Sequence, residues 1–200
     1  MREILRVDSI AATLDNARKI QKFTLQDLLR MGMPRELAVT YADSVNPQLV
    51  EQQRLNLDEY PGRYLGATAI RGGEILGFTK LNTWRASDEV GASSGLRKLE
   101  YRVRAKMGNR MPEMTLGIFA LIADNTLDQG FRQMILAKLV DRAVERADTT
   151  LTGAALRICL TPDDPAINIL ERVGFEPTGI KGTPIADIVQ EIYSRQPVRS

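Results

Sequence analysis

Along the first sixty positions the apolar residues recur mostly at helical spacing. Ile10, Leu14, Ala17, Ile20 and Phe23 fall three or four apart, which predicts a helix over 10–31. A short strand at 2–9 precedes it, with Ile4, Leu5 and Val7 as its apolar content. Thr24 opens Thr-Leu-Gln-Asp, a sequence suited to cap a further short helix through Leu28 and Leu29. Pro34 starts another, with Leu37, Ala38 and Tyr41 on its apolar side. Asn46-Pro47 is expected to break that helix, with another helical turn or two over Leu49 to Leu57.

The pattern then changes period. Tyr64 to Ile70 and Ile75 to Leu81 are two β-prone apolar runs around Arg71-Gly72-Gly73-Glu74, which predicts a hairpin. Residues 85–95 read as loop, and Arg97 to Lys106 as a basic strand or helix. Glu113 to Ala123 is a long apolar run that fits a central strand buried on both faces. After Gly130, Phe131, Ile135, Leu139 and Ala143 form one helical stripe, with Leu136, Val140, Val144 and Ala147 beside it. Ala154 to Leu160 predicts a second buried strand, and Pro165 to Arg172 a short helix closed by Gly174. A strand from Phe175, a glycine-rich turn at 179–182 and a last strand from Ile188 to Tyr193 complete the chain. This order predicts one mixed α/β domain over 1–200, with a helical part at 1–60 and helices on both faces of one sheet.

Composition narrows the chemistry more than the fold. With 44% hydrophobic and 26% charged residues the chain reads as an ordinary soluble globular protein, and a formal charge of +2 makes no strong field. The single Cys159 rules out an internal disulfide. The first residues lack an apolar signal core and no run is long enough to cross a membrane, so a cytoplasmic protein is expected. The chain has no histidine. Imidazole bases, Ser-His-Asp and Cys-His hydrolases and ordinary zinc sites are therefore excluded, and no metal is expected. Any proton transfer falls to Asp, Glu, Tyr, Lys, Cys or water.

One segment carries a specific resemblance. Asp163-Asp164-Pro165-Ala166-Ile167-Asn168-Ile169-Leu170-Glu171-Arg172-Val173-Gly174-Phe175 resembles the late strand–helix–strand motif of the GNAT (GCN5-related N-acetyltransferase) superfamily, Asn-x-x-Ala-x-x-Leu-Tyr-Glu-x-x-Gly-Phe. The Ala, Glu, Gly and Phe positions match without a gap. The segment 114–147 and the hairpin at 64–81 resemble the family's cofactor-binding strand–helix and its second and third strands. The resemblance implies an α/β fold with a mixed, mostly antiparallel sheet and a V-shaped splay between two parallel central strands. It also implies an insertion at 82–112. The implied activity is transfer of an acetyl group from acetyl-CoA to a primary amine of a small molecule or protein. The alternative is a binding or regulatory module that has lost turnover.

In such a site the backbone of Leu121, Ile122 and Ala123 would pair with a pantetheine arm as a strand does. The turn and helix start at Asp128, Gln129, Gly130, Phe131 and Arg132 would receive the pyrophosphate on bare amides, with Asp163 and Asn168 nearby. The family loop, Gln/Arg-x-x-Gly-x-Gly/Ala, survives here only at Gly130. Aligning Gly130-Phe131-Arg132 with its Gly-Ile-Gly keeps the helix stripe in phase, whereas starting at Gln129-Gly130 puts Met134 at the last glycine. Asp128 beside phosphate would repel it, and Arg132 would compensate as a direct ligand. Leu170 stands where the family often has a proton-donating tyrosine.

The remaining candidates for acid–base work are Asp124, Glu113 and Tyr193. Each has a plain structural reading too: a loop cap, a strand end and a packed strand tyrosine. Cys159, on the strand that would flank the thioester, could become acylated but reads first as a small core residue, and Trp84 reads equally as a wall of the acceptor pocket and as core or hairpin-edge packing. The basic stretch 97–110 reads as the wet face of an edge strand, with nucleic-acid binding as the weaker alternative. The expected partners are acetyl-CoA and an amine acceptor, with no membrane, nucleic acid unlikely and a homodimer left open.

Overall fold

The computed structural model describes residues 5–69, 73–85, 114–149, 154–185 and 187–197. Seven strands form one sheet in the order β1-β2-β3-β4-β5-β7-β6. They are β1 Leu5–Ser9, β2 Tyr64–Ala69, β3 Ile75–Arg85, β4 Met114–Ala123, β5 Ala155–Leu160, β6 Glu176–Ile185 and β7 Ile188–Arg195. β4 and β5 are parallel, whereas β1/β2, β2/β3, β5/β7 and β6/β7 are antiparallel. The helices are α1 Leu14–Arg30, α2 Arg35–Ala42, α3 Pro47–Glu59, α4 Gln129–Thr149 and α5 Ile167–Arg172. The mixed α/β sheet with flanking helices is thus present. Its contacts group into two compact units, 1–81 with 120–140 and 82–119 with 141–200.

In the first unit a core of Ile10, Ala17, Ile20, Phe23, Val50, Leu57, Tyr64, Ile75, Phe78 and Ile122 is buried. Phe78 stacks on Phe23 of α1 with ring centroids 6.5 Å apart. Its neighbour Gly77 faces the other way, toward Ile135 of α4. Adjacent strand residues point to opposite faces, so α1 and α4 cover the two faces of β3.

Three sequence expectations are corrected in detail. No new helix begins at Thr24, because its hydroxyl donates to the Ile20 carbonyl one turn back and α1 runs unbroken to Arg30. Asn46-Pro47 starts a helix instead of only ending one. The Asn46 side chain accepts from the Gln48 and Leu49 amides, and Pro47 occupies the first helical position. Residues 179–182 lie inside β6, where Gly179 at φ +70° and register shifts near Lys181 and Gly182 mark bulges. The chain instead reverses after Ile185, which pairs with Ile188. The hairpin at 64–81 forms as expected, with Thr68 opposite Ile75 and Gly73 at φ +63°.

In the second unit the register of β4 on β5 runs from Thr115 opposite Ala155 to Ile118 opposite Ile158. α5 ends in a turn closed by the Phe175 amide on the Leu170 carbonyl, with Gly174 at φ +88°. Arg195 of β7 fixes that turn, donating from Nε to the Val173 carbonyl at 3.0 Å. It also grips both carboxylate oxygens of Asp148 at 2.9 Å.

Candidate functional site

The first unit carries most of the residues singled out from sequence. β4 passes through Leu121 and Ile122 and ends at Ala123, and the amide of Asp124 just beyond it donates to the Leu76 carbonyl of β3 at 2.8 Å. Ile122 and Ala123 are buried, and Leu121 is half-buried. The Asp124 carboxylate accepts from the Thr126 amide and hydroxyl at 3.0 and 2.8 Å. It thereby holds the turn that leads to α4.

Asp128 is the cap of α4. Its side chain accepts from the Phe131 amide at 3.0 Å, and its carbonyl accepts from Arg132 at 3.0 Å. That satisfies one helix-end amide and places a carboxylate at the positive end of the dipole. Among the described residues, the amides of Gln129 and Gly130 have no acceptor. Arg132 is half-buried, and its Nε is shielded from water without a hydrogen-bond partner. Two bare amides at the start of a helix form a feature that an anion satisfies. Gly130 has no positive φ, and a methyl group there would only touch Asp128 Oδ1 at 3.4 Å. Access to its amide, not backbone conformation, is what a glycine offers there.

The second unit holds the others. Asp163 and Asn168 are exposed on the turn and first helical residues after β5. Their neighbour Asp164 organises that turn, accepting from the Ala166 amide at 2.9 Å. Leu170 is fully buried, so the position of the family's tyrosine is core here. Tyr193 lies on β7 opposite Ile158 and is 8% exposed. Burial, and then the charges of Glu191, Glu171 and Asp164, raise its pKa above the ordinary 10.0 and keep the hydroxyl protonated. Cys159, half-buried, is paired with Ile192. Glu113, the 97–110 basic stretch and the Trp84 side chain lie outside the described residues.

Thr79 and Arg157 are among the buried polar residues that were not picked out from sequence. Thr79 of β3 is fully buried, and its hydroxyl donates to the Ala120 carbonyl of β4 at 2.9 Å. Nothing in Gly-Phe-Thr-Lys-Leu marks it. Arg157 of β5 is 1% exposed and donates to the Leu156 carbonyl and the Ser194 hydroxyl. A charge inside Ala-Leu-Arg-Ile-Cys-Leu was its visible signal.

No family model matches the chain, and no curated protein matches it by sequence. Solved structures match over nearly its whole length. A chain of the NatC complex bound to Gag peptide and CoA superposes with a TM-score of 0.62 at 12% identity, covering 98% of this chain and 99% of that one. The PaiA N-acetyltransferase of Thermoplasma acidophilum, in complex with coenzyme A, gives 0.60 at 8%, covering 96% and 99%. This is the GNAT fold. A polyamine N-acetyltransferase of Drosophila melanogaster with the same GNAT architecture gives 0.56 at 11%, covering 96% and 98%. Among the described residues no helix is long and apolar enough to cross a membrane, and no group of three or more Asp, Glu or Cys is placed to hold a metal.

Proposed function

We propose that this chain is an acyl-CoA-dependent N-acyltransferase that moves an acetyl group from acetyl-CoA to a primary amine by direct transfer in a ternary complex. The observation that carries the reading is the start of α4, with the bare amides of Gln129 and Gly130. A diphosphate supplies the acceptors that those two amides lack. The shared fold with enzymes solved in complex with coenzyme A supports the same ligand.

On this reading the backbone of Leu121, Ile122 and Ala123 pairs with the pantetheine arm, and residues 128–132 hold the pyrophosphate. Asp163 and Asn168 remain candidate contacts of the coenzyme. Acetyl-CoA brings an activated thioester. The amine nitrogen attacks its carbonyl carbon, the carbon–sulfur bond breaks, and the thiolate leaves. The amine gives up one proton, for which Asp124 is the proposed acceptor, directly or through water. The thiolate takes up one proton, for which Tyr193 is the proposed donor. Primary amines on a small molecule or a protein chain are the proposed acceptors, in a soluble compartment.

Acetyl-CoA is expected to raise the melting temperature and to bind measurably by calorimetry. No stabilisation at millimolar ligand overturns the proposal. Leu170 in the core and the Asp128 carboxylate on the helix end favour a second reading, a coenzyme-binding module without turnover. Binding of acetyl-CoA without coenzyme A release against a broad amine panel selects it.

A further inference from the structure

Thr79 is an anomaly of the first unit. It is completely buried in β3, next to Phe78, where a valine of the same shape would add apolar contact. A buried hydroxyl is tolerated only when bonded, and this one donates to the Ala120 carbonyl across the strand boundary at 2.9 Å. A close approach and a further hydrogen bond lie along the same pair of strands. A Cβ on Gly77 would stand 2.6 Å from the Ile122 carbonyl oxygen and 3.1 Å from the Ala123 Cα, so β3 approaches β4 there more closely than any side chain permits. Beyond it, the Leu76 carbonyl accepts from the Asp124 amide at 2.8 Å. The backbone from 120 to 124 is therefore held to β3 by hydrogen bonds at Ala120 and Asp124, with a close approach at Ile122 between them. The register of β4 on β5 has already ended at Ile118.

We propose that Thr79 is a positioning residue for the acyl donor: by holding the Ala120 carbonyl it sets the 121–123 backbone at the angle that a pantetheine arm must match. The assignment rests on the coenzyme A reading given above. Hydrogen bonding of an extended ligand to a strand edge is geometrically strict, so a small rotation of that edge weakens the pairing. The hydroxyl reaches the ligand only through the strand, which makes Thr79 a positioning group and not a catalytic one.

The test compares two ligands on wild type, Thr79→Val and Thr79→Ser. Coenzyme A carries the pantetheine arm, whereas adenosine 3′-phosphate 5′-diphosphate carries only the end that meets α4. Thr79→Val is expected to weaken coenzyme A by about three- to tenfold, the size of one lost hydrogen bond, and to leave the nucleotide within about twofold. Thr79→Ser keeps the hydroxyl and is expected to bind both like wild type, which supplies a folded comparison should the valine variant be unstable. Equal coenzyme A binding by wild type and Thr79→Val overturns the assignment. So does an equal loss of both ligands, which marks a merely structural role. A serine variant that folds and loses coenzyme A selectively overturns it too. Wild type that binds neither ligand overturns the coenzyme A reading itself.

Discussion

Asp128 holds two opposed roles on one side chain. Its oxygen completes the α4 cap by accepting from Phe131, and its charge opposes any anion that would settle on the Gln129 and Gly130 amides. Asp128→Asn keeps a capping oxygen and removes the charge. It is expected to tighten acetyl-CoA by about threefold or more at low salt, with the gain fading as ionic strength rises. Asp128→Ala removes the cap as well and is expected to lower unfolding free energy by about 1 kcal/mol in urea titrations. Tyr193 is the other residue whose environment sets its chemistry. Its pKa is raised when folded, so the folded chain holds the proton more tightly than the unfolded one. That contribution is complete below the unfolded value of 10.0 and disappears as pH climbs past it. Wild type is therefore expected to lose urea resistance more steeply than Tyr193→Phe above about pH 10. At this scale the sequence told unequal amounts. Asp128 just before an apolar helical stripe is a readable cap, whereas the Thr79 bond depends on which strand lies opposite, and no local pattern encodes that.

Elements with a strong period were legible and those governed by caps were less so. The stripe from Ile135 to Ala143 and the paired runs around Gly73 gave α4 and the β2–β3 hairpin, because one face of each is buried throughout. Thr24, Asn46 and Gly179 misled for a common reason. Each has a side chain or backbone that serves equally as a cap, a back-bonded helical residue or a bulge, and tertiary packing chooses. Gly77 shows packing at its tightest. Adding a methyl there forces it against the Ile122 carbonyl and Ile135, backbone and core together. Gly77→Ala is expected to cost about 1–3 kcal/mol, read from the urea midpoint. In the second unit Arg195 joins the end of α4 to the turn after α5 through Asp148 and Val173, and it is only 13% exposed. Arg195→Met keeps the stem and removes all three hydrogen bonds, so a loss of about 2 kcal/mol is expected by the same measurement.

For the whole chain, the missing histidines make a claim that no single site makes. The described groups with displaced pKa values titrate outside the neutral range. Glu51 is lowered from 4.5, mainly by its hydrogen bond from Arg54, while Tyr60 and Tyr193 are raised from 10.0. A lowered carboxylate adds stability that is present above its unfolded value and disappears as pH falls through the folded one, and a raised tyrosine loses its contribution only on the alkaline side. Neither window reaches neutrality, and the chain contains no imidazole to fill the gap. Urea midpoints are therefore expected to be nearly flat from about pH 6 to 7.5 and to fall away on both sides. The same reasoning bears on turnover. On the N-acyltransferase reading proposed above, the proton of the acceptor amine has to pass to a group other than imidazole. Measuring kcat/KM across the same pH range with two amines of different basicity separates the acceptor from such a group. An inflection that moves with the amine belongs to the acceptor, and a loss of rate in Asp124→Asn of the same size for both amines supports Asp124 as the proton acceptor.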